Sequence, residues 1–241
     1  MFALFVKEIK SFFTSILGYV IVGLFLVLTG LFVWVFRGNV MEGGLSTLQI
    51  FFEIAPLLFL ILIPAITMRM FAEERRSGTM ELLFTQPISD IMLITAKFLA
   101  CEVLLLVALL PTLIYFWSVW KLGLPDGKID IGATWCSYIG LFFLGTIFVS
   151  IGLFSSSITR NQIVAFLLTV LLCFLMHYGF NFLYSLDFLG SAGYVVKKIG
   201  IDHHYTYISM GVIDSRDIIY FVTVSFLFLF GARISLLSRK W

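Results

Sequence analysis

The sequence predicts an all-α membrane protein with six transmembrane helices, and both its composition and its long apolar runs support this fold class. Of the 241 residues, 61% are hydrophobic and only 12% are charged. Soluble domains are roughly half apolar and about a quarter charged, so the excess apolar side chains must face lipid or other helices. Each run reaches the roughly 20 residues that cross about 30 Å of hydrocarbon. The predicted spans are 17–36, 50–68, 91–117, 132–154, 163–184 and 218–237.

The first 16 residues have the pattern of an amphipathic helix at the membrane interface. Large apolar side chains recur at helical spacing, and lysines and hydroxyl groups occupy the other side. The apolar set is Phe2, Phe5, Ile9, Phe12, Phe13 and Ile16, and the polar set is Lys7, Lys10, Ser11 and Thr14. We expect the apolar face to lie in the acyl boundary and the lysines among headgroups. An extension of the first span is the alternative interpretation.

We interpret residues 1–241 as one transmembrane domain, because no soluble domain or low-complexity segment interrupts the spans. The first apolar run is longer than a signal-peptide core and no cleavage site follows it, so we expect it to remain in the mature chain. Turn-forming residues predict three of the chain reversals. They are Gly43-Gly44, Leu124-Pro125-Asp126-Gly127 and Ser155-Ser156-Ser157.

The distribution of lysine and arginine predicts that both termini are cytoplasmic. Six spans put the two termini on one side, and this orientation gives ten basic residues on the inner side against six on the outer side. Basic residues close to the spans favour the cytoplasmic side. The net charge is only +2, and the basic residues are scattered along the chain. We therefore expect no binding to nucleic acid.

The predicted inner loop between the second and third spans, residues 71–90, carries the strongest functional signal. Gly78 interrupts the helix that leaves the membrane, Ser77 or Thr79 can cap a short new helix, and Pro87 ends it. Ser89 or Asp90 can then cap the third span. These capping and helix-breaking residues predict a short helix parallel to the membrane whose side chains contact another protein. A solvated linker is the alternative.

This loop resembles the signature of the ABC type-2 exporter permease family. The matching residues are Glu74, Gly78, Thr79, Glu81, Leu82, Leu83 and Pro87. A second similarity lies at the entry to the last span, residues 211–221, and the likeness covers the whole chain. Among family branches, the chain is most similar to the permeases associated with gliding motility, a branch that also includes relatives serving copper-enzyme maturation. Met210 departs from the arginine expected before Gly211.

The resemblance implies a cytoplasmic coupling helix that docks on a separate ATPase subunit. The residues expected to form this contact are Glu73, Glu74, Arg76, Ser77, Gly78, Thr79, Glu81, Leu82, Leu83 and Pro87. It further implies a second permease copy or a related membrane subunit, short outer helices between the fifth and sixth spans, and a location in the bacterial inner membrane. We expect no cofactor on this chain, with ATP and magnesium on the partner ATPase, because no phosphate-binding G-x-x-x-x-G-K-[ST] loop is present.

Polar residues inside the apolar runs form a second group of candidates, because burying an ionisable group in a bilayer is costly. Glu102 is interpreted as a protonated or paired carboxyl at a helix contact. His177 and Asn181 are one helical turn apart and are expected to bond to each other or to a neighbouring helix. Glu53 and Lys97 lie near span ends, where their side chains can reach headgroups.

Metal binding and catalysis are not expected from the remaining motifs. The adjacent His203 and His204, with Asp202, lack the spacing of a defined metal site. The sequence also shows none of the common hydrolase or metalloprotease motifs, which leaves an intramembrane enzyme as the weakest hypothesis. An exporter permease and a membrane scaffold that docks an ATPase without moving cargo both stay open.

Overall fold

A computed structural model describes residues 1–42, 47–80, 89–123, 129–185 and 193–238, and every regular element within these ranges is helical. The α-helices are α1 (Phe2–Thr14), α2 (Ile16–Trp34), α3 (Gln49–Thr67), α4 (Arg69–Arg76), α5 (Asp90–Leu109), α6 (Leu113–Leu122), α7 (Ile131–Ile158), α8 (Gln162–Phe174), α9 (Phe180–Ser185), α10 (Gly193–Ile199), α11 (Ile201–Ser209) and α12 (Ser215–Leu237).

The described part of the chain contains six helical segments long and apolar enough to cross a membrane, which confirms the predicted fold class and number of spans. Several of them combine consecutive helices. The spans are Ile16–Trp34, Gln49–Arg76, Asp90–Leu122, Ile131–Ile158, Gln162–Ser185 and Ser215–Leu237.

Two spans change helix type along their length. A single 3-10 turn, Leu110–Thr112, interrupts the third span at Pro111, which lacks the N–H that an α-helix requires. The fifth span contains a π-helical turn, Leu175–Gly179, that includes His177. Such π turns often mark functional positions, because the extra residue redirects the side chains of one turn.

The second, third and fourth spans form the packed centre of the protein. Their most apolar windows are 72%, 61% and 72% buried, whereas those of the first, fifth and sixth spans are only 22%, 22% and 17% buried. The apolar side chains of the outer three spans therefore provide most of the surface available to lipid or to a neighbouring subunit.

The fourth span continues through a predicted turn. Ser155, Ser156 and Ser157 are fully buried within α7, so the chain reversal expected there is wrong. Their hydroxyl groups bond to backbone carbonyls, which lets serine remain helical in an apolar setting. Ser156 has a further role, because its Oγ accepts hydrogen bonds from the N–H groups of Phe71 (3.0 Å) and Ala72 (3.1 Å) where α3 gives way to α4.

The N-terminal amphipathic segment is a separate helix, and one of its faces is buried against the rest of the protein. Leu4, Glu8 and Phe12 are buried, and α1 packs on the beginning of the third span. Phe2 is 78% exposed. We call the end of the bundle that holds α1, α4 and the start of α5 the proximal end, and the opposite end the distal end.

Short helices connect the fifth and sixth spans at the distal end. The side chain of Tyr205 in α11 donates a hydrogen bond to the carbonyl of Phe52 (2.7 Å), and Ser137 donates to the carbonyl of Ser209 (2.8 Å). These bonds fasten α11 to the second and fourth spans. The predicted turns at residues 43–44 and 124–127 lie outside the described residues.

The contact between the second and fourth spans requires a glycine at position 152. A Cβ atom there would lie 2.1 Å from Oγ1 of Thr67 and 2.7 Å from its Cβ, far inside normal contact distance. We expect Gly152→Ala to destabilise the protein by about 1–3 kcal/mol through overpacking. The matched control is Gly23→Ala, where no atom lies within 4 Å of the new Cβ. Thermal unfolding in detergent measures both, and equal melting temperatures would contradict this packing.

Candidate functional site

The second span extends beyond its apolar core as a polar arm at the proximal end. We define the arm as α4, Arg69–Arg76, together with Ser77–Thr79. Gly78 adopts a left-handed backbone conformation (φ 72°) that ends α4, as the sequence predicts. The Ser77 hydroxyl donates to the Glu73 carbonyl (2.9 Å), and Thr79 donates to the Glu74 carbonyl (3.3 Å). The Glu73 carbonyl also accepts the Ser77 backbone N–H (2.9 Å), so the Ser77 hydroxyl adds a second bond there, and Thr79 bonds to the next carbonyl of the last turn.

Lys97 anchors this arm from the third span. The prediction that its ammonium reaches headgroups is wrong, because the side chain is fully buried. Its Nζ lies 2.9 Å from a carboxylate oxygen of Glu8, 2.9 Å from one of Glu74, and 2.6 Å from the Met70 carbonyl. The contacts with Glu8 and with the Met70 carbonyl are hydrogen bonds, and the contact with Glu74 is an ion pair whose carboxylate oxygen has no hydrogen-bond partner. Together they offset the cost of burying the charge.

Glu74 joins a second lysine to the same cluster. One of its carboxylate oxygens contacts Lys97, and the other accepts a hydrogen bond from Lys7 at 2.9 Å. Burial lowers the pKa of Lys7, but its contacts with Glu74 and Glu8 outweigh that effect and raise the pKa above the ordinary lysine value. We call Lys7, Glu8, Glu74 and Lys97 the proximal ion cluster. With two positive and two negative groups, its formal charge is zero.

Glu8 is the member that sequence reasoning missed. It lies between Leu4 and Phe12 at a spacing of four residues, so a carboxylate interrupts the buried stripe of α1. An acidic residue within an apolar stripe, together with a lysine inside a predicted span, was the available signal. Each needs a partner in a medium where unpaired charge is costly.

The arm presents its other predicted coupling residues outward. Glu73, Arg76, Ser77, Gly78 and Thr79 are exposed, whereas Glu74 faces the interior and pairs with lysines. Four further predicted residues lie outside the described residues. They are Glu81, Leu82, Leu83 and Pro87. On the other side of this gap, Ser89 caps the third span by accepting a hydrogen bond from Met92 N–H (3.3 Å), as predicted.

Glu102 lies at the contact between the third and fourth spans. Thr146 donates a hydrogen bond to its Oε2 (3.1 Å), while Oε1 is buried without a hydrogen-bond partner. A carboxyl held at a helix contact agrees with the interpretation made from sequence.

His177 and Asn181 meet Asp202 of α11 instead of each other. Asn181 donates a short hydrogen bond to one carboxylate oxygen of Asp202, and Nε2 of His177 lies 3.8 Å from the other. Asn181 therefore bonds to a neighbouring helix, α11, as expected, whereas His177 makes no hydrogen bond to it.

The neighbouring histidines make separate contacts. The ring nitrogens of His204 lie 2.6 Å from a carboxylate oxygen of Asp217 and 2.9 Å from the Lys198 carbonyl, while His203 packs edge-on against Tyr207. Burial, followed by the charge of His204, lowers the pKa of His203. No group of three or more His, Cys, Asp or Glu residues in the described ranges has the geometry to hold a metal ion.

Six apolar spans with a polar arm and a separate N-terminal helix define a multi-pass membrane protein. The family model of ABC-2 family transporter proteins matches residues 2–186, which include α1, the arm and the first five spans. The chain therefore belongs to the ABC-2 transporter family, as a membrane permease subunit of an ABC transporter. No curated protein matches the chain.

The proximal ion cluster predicts a large stability loss when Lys97 is neutralised. Lys97→Met leaves two buried carboxylates with one lysine, and removing one partner of a buried pair costs about 3–5 kcal/mol. Lys10→Met, at an exposed position of α1, is the control. Denaturant unfolding in mixed micelles measures the free energy of unfolding.

The double variant Glu8→Gln/Lys97→Met tests whether the loss is electrostatic. It removes one charge of each sign and keeps the Lys7–Glu74 pair, so it should recover part of the stability lost in Lys97→Met. Equal stability of Lys97→Met and Lys10→Met would contradict the cluster.

Proposed function

We propose that this chain is the membrane subunit of an ATP-driven exporter associated with gliding motility. A separate ATPase subunit docks on residues 73–87 and drives cargo outward. The arm is the observation that supports this proposal most strongly. Its exposed end leaves the bundle, while its buried face is bonded to α1 and to the third span. A force on the exposed end would reach two parts of the bundle through short charged contacts.

The proposed orientation places the proximal end in the cytoplasm. Basic residues near the spans favour that side, and the arm, α1 and the end of the sixth span would then face the ATPase. In this arrangement the chain lies in the bacterial inner membrane. It encloses the transport pathway with a second copy of itself or with a related membrane subunit.

The division of work between chains follows from what each contributes. ATP and magnesium would bind the partner ATPase, and this chain would contribute the coupling surface and the spans that move. Exposed Glu73, Arg76 and Thr79 offer charges and hydrogen bonds to the ATPase groove, and Leu82 and Leu83 offer apolar contacts beyond them. Glu74 acts differently, by holding the arm to the bundle.

Substitution of the coupling residues tests the proposal. In a complex reconstituted in liposomes with its ABC ATPase, Glu81→Ala/Leu82→Ala should lower permease-stimulated ATP hydrolysis at least about tenfold, because contact residues at the centre of an interface dominate its energy. Glu42→Ala, an exposed carboxylate at the distal end, is the matched control. Full stimulation by the double variant, with unchanged ATPase binding, would contradict a coupling role.

An ATPase variant that binds but cannot hydrolyse ATP separates an exporter from a scaffold. An exporter loses its cellular function with this ATPase, here gliding, because cargo movement needs turnover. Normal gliding with the inactive ATPase would show instead that docking alone suffices.

A further inference from the structure

The distal end contains a cavity of about 550 Å³ that the coupling function does not use. Its walls come from the start of the second span, the start of the fourth span, the π turn of the fifth span and α11. Small-molecule sites typically have volumes of about 300–1,000 Å³, and π turns often occur at functional positions. The family match ends at residue 186, so the wall formed by α11 lies outside it.

The charge lining this cavity is acidic. Glu53, Asp130 and Asp202 contribute carboxylates, and no lysine or arginine among the described residues lines it. Burial raises the pKa of Asp202 above the ordinary aspartate value, and the charge of Lys197, which does not line the cavity, lowers it by a smaller amount. The Asp202 carboxylate accepts a hydrogen bond from the neutral amide of Asn181, and a positively charged ligand beside it would compensate the rest of its charge.

A buried polar group without a partner also faces this site. His177 lines the cavity and is 2% exposed, and its Nδ1 has no hydrogen-bond partner. Its other ring nitrogen lies 3.8 Å from Asp202, beyond hydrogen-bond distance. Buried polar groups in folded proteins almost always have a partner, so an orphaned nitrogen beside a cavity points to a ligand that supplies one.

Aromatic rings complete the lining next to these polar groups. Tyr178 and Tyr205 pack around His177, with ring centroids 4.5 and 6.2 Å from the imidazole, and Phe52 joins them at the cavity wall. Aromatic rings beside carboxylates form the usual surroundings of bound ammonium groups, because the ring faces attract cations.

We propose that the distal cavity binds a small organic cation that carries ammonium groups. Asp202 and Glu53 hold the charged nitrogens, the aromatic rings pack on the methylene chain, and His177 Nδ1 completes the polar contacts. This inference does not rest on the proposed export function, because the cavity belongs to this chain alone. Binding can therefore be measured without an ATPase.

Titration calorimetry with spermidine on the purified full-length chain in neutral detergent tests the proposal. We expect saturable binding at one site, weakening as salt screens the carboxylates. Octane-1,8-diol, a neutral chain of similar length, should not bind. Asp202→Asn should weaken spermidine binding about tenfold, because hydrogen bonds to charged groups contribute more than neutral ones. Glu53→Gln, at an exposed position, should weaken it about threefold.

Two further variants complete the test, of which the first is a control. Glu42→Gln removes an exposed carboxylate at the same end that does not line the cavity, and it should bind spermidine like the wild type. His177→Phe keeps an aromatic ring but removes the orphaned nitrogen, and it should weaken binding. Melting temperatures show which variants are folded; if Asp202→Asn is not, Glu53→Gln decides.

The proposal is overturned by any of three results. They are the absence of spermidine binding to the wild type, equal binding of the diol, or unchanged affinity in the folded cavity variants. Loss of ATPase stimulation in the coupling variants has no bearing on these outcomes, so the two proposals can fail separately.

Discussion

The fully buried ammonium group of Lys97 is the constraint on which the proximal half of the structure depends. A charge in that position is tolerated only with close partners, and the partners come from α1 and from the arm. One side chain thereby joins three segments that are far apart in the sequence. Glu74 extends the contact to Lys7, so the N-terminal helix is fastened to the arm by two lysines rather than by apolar packing alone.

The two ends of the bundle differ in the arrangement of their charged groups. At the proximal end, charges are paired inside the protein and the formal charge of the cluster is zero. At the distal end, Nδ1 of His177 has no hydrogen-bond partner beside a cavity that Asp202 also lines. The second and fourth spans contribute to both ends and are the most buried spans, so a tilt imposed on the arm has a direct path to the cavity.

The sequence predicted the spans well because lipid imposes a strong and local requirement, about 20 apolar residues for each crossing. The helix break at Gly78 and the cap at Ser89 could also be predicted, since caps and helix breaks depend on residues close in the sequence. The serines at 155–157 were misread because serine is common in turns. Only the packed structure shows that the hydroxyl groups of Ser155 and Ser157 bond within the helix and that of Ser156 bonds to the second span.

A single sequence could not predict contacts between segments that are far apart in the chain. Nothing local to Lys97 distinguishes a lysine that reaches headgroups from one that pairs with a carboxylate 89 positions away. The same holds for Asp202, whose closeness to His177 depends on how α11 folds back.

The most direct test of the central claim measures whether α1 and the arm move together. Spin labels at the exposed positions Lys10 and Arg76 report the distance between these helices, and a label at exposed Tyr207 paired with Arg76 reports the movement of the arm relative to the distal end. Trapping the reconstituted complex with vanadate should change the second distance and leave the first unchanged. A change in the first distance comparable to the second would contradict a rigid proximal unit.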